Sequence, residues 1–442
     1  MAGDTQKHGR VRAVVAVCAF VFLPTNGLAA TTALYSLGYG AQSSSMAGAT
    51  LASGSDALNQ FGNPANLSFI PKRLDLSVMY LRSDLHFKNA LNDKNNERGF
   101  AGFPLSDNNF LIPALGVSYP LTGTNFALGF QLYGLGGDAT RFILDDFPPP
   151  AGFGAKQRFR ANLVLMNFGP ALAYKVNDRL SLGATFQVTA GRLKLDQPFG
   201  TFDPPTSLRF RFRFNMDDYG FDFAFGGRVS ATLKPTQWLT LAIAYQTPRE
   251  FEFAGDTRLT FPAGVGLGVT ETQGTIPFTL PQQIDAGVAV TPTLGLTVEA
   301  GFSWIGWSAE DPFKRFKVRL NTPPEGFPRT LAAPISWDDQ YIYRLGVAYK
   351  LTSDFTLRAG YGYASNPVSA PGAFLTFPAY GFQTLTVGWT WQVTERWDIS
   401  AMFGRSFDQS VTTTVSNVDA FHARAKENHD QYTAQLQLGW RF

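Results

Sequence analysis

Few residues in this chain could carry out covalent chemistry. Cysteine occurs once, at Cys18. Beyond residue 30 the histidines are His86, His422 and His429, in loop-like stretches or near strand ends, and no Gly-x-Ser-x-Gly elbow accompanies them. Cys18 lies inside an apolar run that reads as a cleaved signal, so disulfides, zinc–thiolate sites and cysteine nucleophiles are excluded from the mature chain, and neither a cofactor nor a metal is expected. Binding chemistry is better represented. Phenylalanine is unusually common, at 40 of 442 residues. Residues 209–214 read Arg-Phe-Arg-Phe-Arg-Phe. As a strand, this sets Phe210, Phe212 and Phe214 on one face and Arg209, Arg211 and Arg213 on the other. Phe142, Phe147, Phe153, Phe374 and Phe377 add apolar side chains in other loop-like stretches. Apolar surface beside guanidinium groups suits an amphipathic anion.

Such loops need elements to hold them, and one pattern recurs. In YTAQLQLGWRF, Tyr432, Ala434, Leu436, Leu438, Trp440 and Phe442 alternate with Thr433, Gln435, Gln437, Gly439 and Arg441. Period-two alternation with aromatic ends is what a lipid-facing strand requires. The same alternation appears near 238–253, 337–350, 381–393 and 397–408. Read along the whole chain, it predicts about fourteen strands. Six connections are tight, such as LTGT at 121–124 and VNDR at 176–179, while every second one is long, such as 254–279 and 309–336. Short turns on one side and long loops on the other mark an outer-membrane barrel. Only helices and closed barrels satisfy every backbone group in lipid. The expected fold is all-β: a transmembrane antiparallel β-barrel over residues 73–442, in the bacterial outer membrane, with Trp440 and Phe442 at the periplasmic side.

Two segments precede it. Lys7, Arg10 and Arg12 followed by AVVAVCAFVFL at 13–23 read as a secretory signal ending near residue 30. Residues 31–72 lack strict alternation, yet carry apolar anchors such as Tyr35, Leu37, Met46, Leu58 and Phe61. They are expected to fold as a small hatch, or plug, inside the lumen. Asp222, Arg228, Asp285, Glu299, Arg344, Arg358, Asp398 and Arg441 fall on the inward phase with mixed signs. This points to internal ion pairs rather than to a strongly ion-selective pore. A net charge of +3, without a basic helix or phosphate loop, gives no reason to expect a nucleic-acid partner.

At this point the chain resembles the FadL/TodX family of outer-membrane long-chain fatty acid and hydrocarbon transporters. GYG at 38–40, SMAGA at 45–49 and DALNQFGNPANLSF at 56–69 are similar to the family's hatch signature, with Asn63-Pro64-Ala65 as the most recognisable tripeptide. AYQTPREFEFAGD at 244–256, LPQQ at 280–283, WIGWS at 304–308 and the run from Asp338 to Val368 match in order and spacing. The resemblance implies fourteen strands, a hatch, loop-level capture of a hydrophobic substrate, a deeper pocket near the mature N-terminus, and lateral release through the wall without energy input. It also implies a kink in the third strand, here at Gly134, Gly136 and Gly137, where glycine permits a bend. Arg192, Lys194 and Lys314 stand nearest the positions where family members bind an acid head group. Strict alternation instead puts Arg192 and Lys194 on the lipid side and turns Leu193 and Leu195 inward. Expected partners are hydrophobic small molecules together with outer-membrane lipid and lipopolysaccharide, and the chain is expected to be a monomer. The Arg-Phe repeat fits substrate capture, or a hairpin whose arginines meet lipopolysaccharide phosphates; the second is favoured. The alternatives are a barrel enzyme acting on lipids and a general porin.

Overall fold

The computed structural model describes residues 31–442 apart from 33, 96–102, 107–108, 149–151, 204–206, 219, 263–265, 374, 415, 417–421 and 423. The expected signal, Cys18 included, lies outside the described residues. Fourteen antiparallel strands close into a barrel among the described residues. In chain order they are β1 (Arg73–Lys88), β2 (Asn109–Pro120), β3 (Phe126–Leu144), β4 (Gln157–Lys175), β5 (Leu180–Asp203), β6 (Asp222–Leu233) and β7 (Leu239–Gln246). They continue with β8 (Gln283–Thr293), β9 (Leu296–Ile305), β10 (Gln340–Lys350), β11 (Phe355–Ala364), β12 (Gln383–Gln392), β13 (Trp397–Thr413) and β14 (Ala425–Arg441). Each pairs with its chain neighbour, and β14 closes on β1 through Trp440↔Leu74 and Leu436↔Val78.

The alternation drives this arrangement. Leu76, Val78, Phe126, Leu128, Phe130, Phe186, Phe225, Ile243, Leu345 and Leu436 are exposed on the outside, as an apolar band needs. At the short-turn end, Trp397 stacks on Trp440 at 5.7 Å, and Trp440 meets Phe442 at 5.0 Å. These rings form the interfacial girdle on the side where both barrel termini lie.

Three stretches depart from the sequence expectation. The strand expected near 238–253 ends at Gln246, because Pro248 has no N–H to continue the ladder. The chain resumes as a separate strand, Arg249–Thr260, which pairs with Val269–Leu280 and with Ser207–Asp218. The long connections at 254–279 and 309–336 are therefore partly strand, the second containing the pair Arg315–Leu320 and Thr330–Pro334. Their own alternation, as in Phe251 and Phe253, supports a ladder above the barrel wall.

Residues 34–70 bond to the wall on many sides. Ala47 N–H donates to Thr386 Oγ1 at 3.0 Å on β12, and Ala57 N–H donates to Asp75 Oδ2 at 2.8 Å on β1. Gln60 Nε2 donates to the carbonyls of Val117 and Phe130, each at 3.1 Å. Asn63 caps a short 3-10 turn with Pro64 in its first position; Asn63 Nδ2 donates to Thr232 Oγ1 at 2.8 Å and Ala65 N–H to Ser230 Oγ at 3.0 Å. Close approach requires small wall residues. A Cβ on Gly183 would sit 2.2 Å from Ala65 N, and one on Gly360 would sit 2.2 Å from Met46 C.

Glu299 on β9 accepts from the N–H groups of Ala52 and Ser53, both at 2.8 Å. Replacing it with alanine leaves the buried Ala52 amide unpaired, at about 1–3 kcal/mol, and the half-buried Ser53 amide with it. Glu299→Ala should therefore speed periplasmic protease cleavage around residues 49–54 by about tenfold or more in native membranes. Equal cleavage in both proteins would show that these bonds do not hold the segment.

Asp56 gives a second, pH-dependent test. Burial, and then the neighbouring Asp75, push its carboxyl up to about 6, against the opposing effects of Arg73 and Gln437. The folded value thus lies above the ordinary unfolded value of about 3.9. Its stabilising contribution is complete below that unfolded value and is lost as pH rises through about 6. Hydrogen exchange at Ala57–Phe61, corrected for intrinsic rates, should be slower at about pH 5 than at about pH 7.5. Asp56→Asn should flatten this difference; faster opening at the lower pH in the native protein would contradict the assignment.

Candidate functional site

The wall is not paired uniformly. The β2–β3 ladder runs from Pro120↔Ala127 to Ala114↔Tyr133 and stops there, although both strands continue. At the same height the β3–β4 register shifts between Gly134 and Gly136. Gly136 has φ 155°, and a Cβ there would meet Leu34 O from the N-terminal segment. Gly137 follows in register with Val164. The three glycines singled out by sequence thus flank a gap in hydrogen bonding, and Leu34 lies against it from within.

Above the hatch-like segment, the lumen is apolar. Leu193, Leu195, Phe199, Phe212, Phe214, Phe251, Phe253 and Phe278 belong to one buried cluster. Trp307 packs on Phe313 at 4.6 Å, and Phe313 packs on Trp337 at 4.7 Å. Beneath them, Phe61 stacks on Tyr133 at 4.2 Å and Tyr39 meets Tyr133 at 4.6 Å. A cavity of about 80 Å³ lies here, lined in part by Tyr35, Tyr39, Tyr133, Arg228, Asp285 and Arg344.

Two of the three charged residues in its lining, Arg228, Asp285 and Arg344, are cations. Asp285 accepts from Arg228, Ser303 and Gln283, so that carboxylate is already engaged. Arg344 Nη1 donates to Ser303 Oγ at 2.6 Å. Close by, Arg249 is fully buried. Its Nη1 donates to Asn167 Oδ1 at 3.1 Å and Thr189 Oγ1 at 2.7 Å. Its Nε and Nη2 have no hydrogen-bond partner among the described residues. Burial raises the Tyr35 phenol well above its ordinary pKa, and neighbouring Arg249 opposes that rise. Tyr35 therefore remains a hydroxyl donor at neutral pH.

The other sequence candidates fall elsewhere. Leu193 and Leu195 face the apolar lumen, whereas Arg192 and Lys194 lie on the outer face beside Asp217, at 3.6 and 2.6 Å. Lys314 is exposed and donates to Ala309 O at 3.0 Å, while its neighbour Phe313 is buried. The side chains of Arg209 and Phe210 lie outside the described residues; Phe212 and Phe214 are buried. The favoured reading of the arginines does not hold for two of them. Arg211 is buried in a 2.7 Å pair with Asp146, and Arg213 is paired with Asp196 at 2.5 Å. Both edges of the segment are paired, one with β5 and the other with Arg249–Thr260.

Enzyme chemistry finds little support. Ser83 and His429 are hydrogen-bonded at 2.6 Å, but both are buried and the imidazole packs against Phe382. His422 accepts from Leu375 N–H at 2.7 Å, and burial pushes its pKa down to about 3. His86 is engaged with Asp93 and Asn95. Among the described residues, no His/Cys/Asp/Glu group could hold a metal ion. Sequence reasoning missed Arg249, although it lies inside a quoted motif and follows the strand-breaking Pro248.

An apolar outer band, a closed barrel and a filled lumen beside a wall gap define a β-barrel transport protein of the outer membrane. The family model described as outer membrane protein transport protein (OMPP1/FadL/TodX) matches residues 21–441, and the chain belongs to that family. It resides in the bacterial outer membrane. A crystal structure of a Pseudomonas aeruginosa FadL homologue aligns with TM-score 0.70 at 17% identity, covering 94% of this chain and 100% of that one. The Pseudomonas putida toluene transporter TodX aligns at 0.71 with 19% identity, covering 93% and 100%. The Ralstonia pickettii toluene transporter TbuX aligns at 0.68 with 18% identity, covering 92% and 98%. No curated protein matches this chain by sequence.

Proposed function

We propose that this protein takes up hydrophobic carboxylic acids across the outer membrane by passive diffusion. The observation that carries this reading is Arg249: a fully buried guanidinium whose Nε and Nη2 have no hydrogen-bond partner among the described residues, beside an apolar cluster. A buried charge is costly unless paired, and a carboxylate would pair it. The alkyl part would lie among Leu193, Leu195, Phe251 and Phe253, where apolar burial is favourable. Phe212 and Phe214 belong to the same apolar path from the loops.

In this reading residues 31–72 are the hatch, anchored at Asn63-Pro64-Ala65. A cavity of about 80 Å³ is small for a long-chain ligand, since ordinary small-molecule sites measure about 300–1,000 Å³. Tyr35, Leu37 and Tyr39 would therefore shift as the ligand enters. Exit would follow the gap beside Gly134, Gly136 and Gly137 into the bilayer, which spares an apolar molecule a polar channel.

Neutral aromatic hydrocarbons are the second reading, favoured by the Trp307–Phe313–Trp337 stack and by the toluene transporters of similar fold. Titrating the purified full chain with oleate and with toluene, read by tryptophan fluorescence, separates the two. Oleate should bind about tenfold tighter or more. Tighter binding of toluene would overturn the acid reading, and saturable binding of neither would overturn both.

A further inference from the structure

A second depression lies on the outside of the wall gap. It measures about 270 Å³ and is lined by Leu111, Ile112, Pro113, Val164 and Met166, with Gly134 and Gly136 at its edge. Arg160, Arg192 and Lys194 line it as well, together with Asn162, Leu165 and Phe221. Arg192 follows Leu180, the first residue of β5 at the short-turn end, by a dozen positions. At about 3.3 Å per residue and a tilt of about 40°, that places it roughly 30 Å up the barrel, above an apolar band about 25 Å tall. The cations therefore stand near the level of the outer-leaflet head groups, with Val164 paired opposite Arg192 and Met166 two residues further down β4. Lys and Arg cost little at that depth and much at the bilayer midplane.

We propose that this depression binds an anionic glycolipid of the outer leaflet. One acyl chain lies along Ile112, Val164 and Met166, and the lipid's phosphate meets Arg160, Arg192 and Lys194. Charge complementarity selects this occupant. Asp217 pairs with both Arg192 and Lys194, so these three groups together keep one positive charge at the rim. A neutral zwitterionic phospholipid gains less from such a rim. With the site filled, the gap is covered from outside by the acyl chain and from inside by Leu34, which lies against Gly136.

The test uses the purified full chain in nanodiscs of phosphatidylethanolamine, titrated with lipid A. Lipid A should bind saturably, and Arg192→Glu/Lys194→Glu should weaken binding about tenfold or more. Val164→Trp, which fills the apolar depression without altering charge, should weaken it as well. Arg258→Glu, an exposed cation paired with Glu271 outside the depression, serves as the control and should have no effect. Inorganic phosphate should not compete at millimolar concentration. Unchanged lipid A affinity in both the charge and the filling variants would overturn the proposal, as would full competition by phosphate. Heat-modifiable gel mobility checks that each variant retains its barrel.

Discussion

Replacing Arg249 with methionine is expected to lower oleate affinity by about 10- to 100-fold while leaving toluene affinity within about twofold. The magnitude follows from the loss of charge-assisted hydrogen bonds to a carboxylate in a site removed from water. Methionine keeps an unbranched apolar side chain in place, so the cluster around Phe251 and Phe253 stays filled. A structural role for Arg249 predicts something different. Its bonds to Asn167 and Thr189 would be lost, both ligands would weaken together, and the barrel would unfold more readily. The acid-site reading predicts unchanged or raised stability, because a buried cation without a carboxylate partner is destabilising in the empty protein. The pair of measurements, ligand selectivity and thermal unfolding, therefore separates the two roles. Unchanged oleate affinity would remove Arg249 from the site.

The residues that face lipid were legible because a local rule governs them. Strict alternation in 432–442 assigns Leu436 and Leu438 outward, and the same rule placed Arg192 and Lys194 outside and Leu193 and Leu195 within. The site itself depends on contacts that no local rule reaches. Arg249 finds Asn167 and Thr189 across 82 and 60 positions of sequence. Nothing in Pro-Arg-Glu-Phe announces that the Arg249 side chain is buried against β4 and β5. The Arg-Phe repeat misled for the same reason. Period two correctly divides its faces, but it does not reveal that strands flank the segment and that Asp146 waits for Arg211. Alternation tells which side a residue takes; what stands on that side is set by the fold.

Gly136→Val is expected to cut uptake of labelled oleate into cells by about tenfold or more at matched surface expression, while the barrel still forms. Two physical effects act together. The backbone at Gly136 has φ 155°, which a β-branched residue adopts poorly. A Cβ there would also lie within 1.7 Å of Leu34 O, so the N-terminal segment and β3 cannot both keep their places. Relief by straightening β3 would remove the register shift between Gly134 and Gly136 and close the gap beside β2. The barrel should survive, because the β3–β4 ladder continues on both sides of the shift. Gly123 supplies the control: it also has positive φ, at 78°, but lies in the turn before β3 with nothing within 4 Å of an added Cβ. Gly123→Ala should cost about 1 kcal/mol of stability and leave uptake unchanged. Equal uptake by Gly136→Val and the native protein would mean that substrate leaves elsewhere, most directly past a displaced hatch. Removing residues 31–36 from Gly136→Val distinguishes the two effects. Recovery of uptake would assign the loss to the collision with Leu34, whereas continued loss would assign it to the straightened wall.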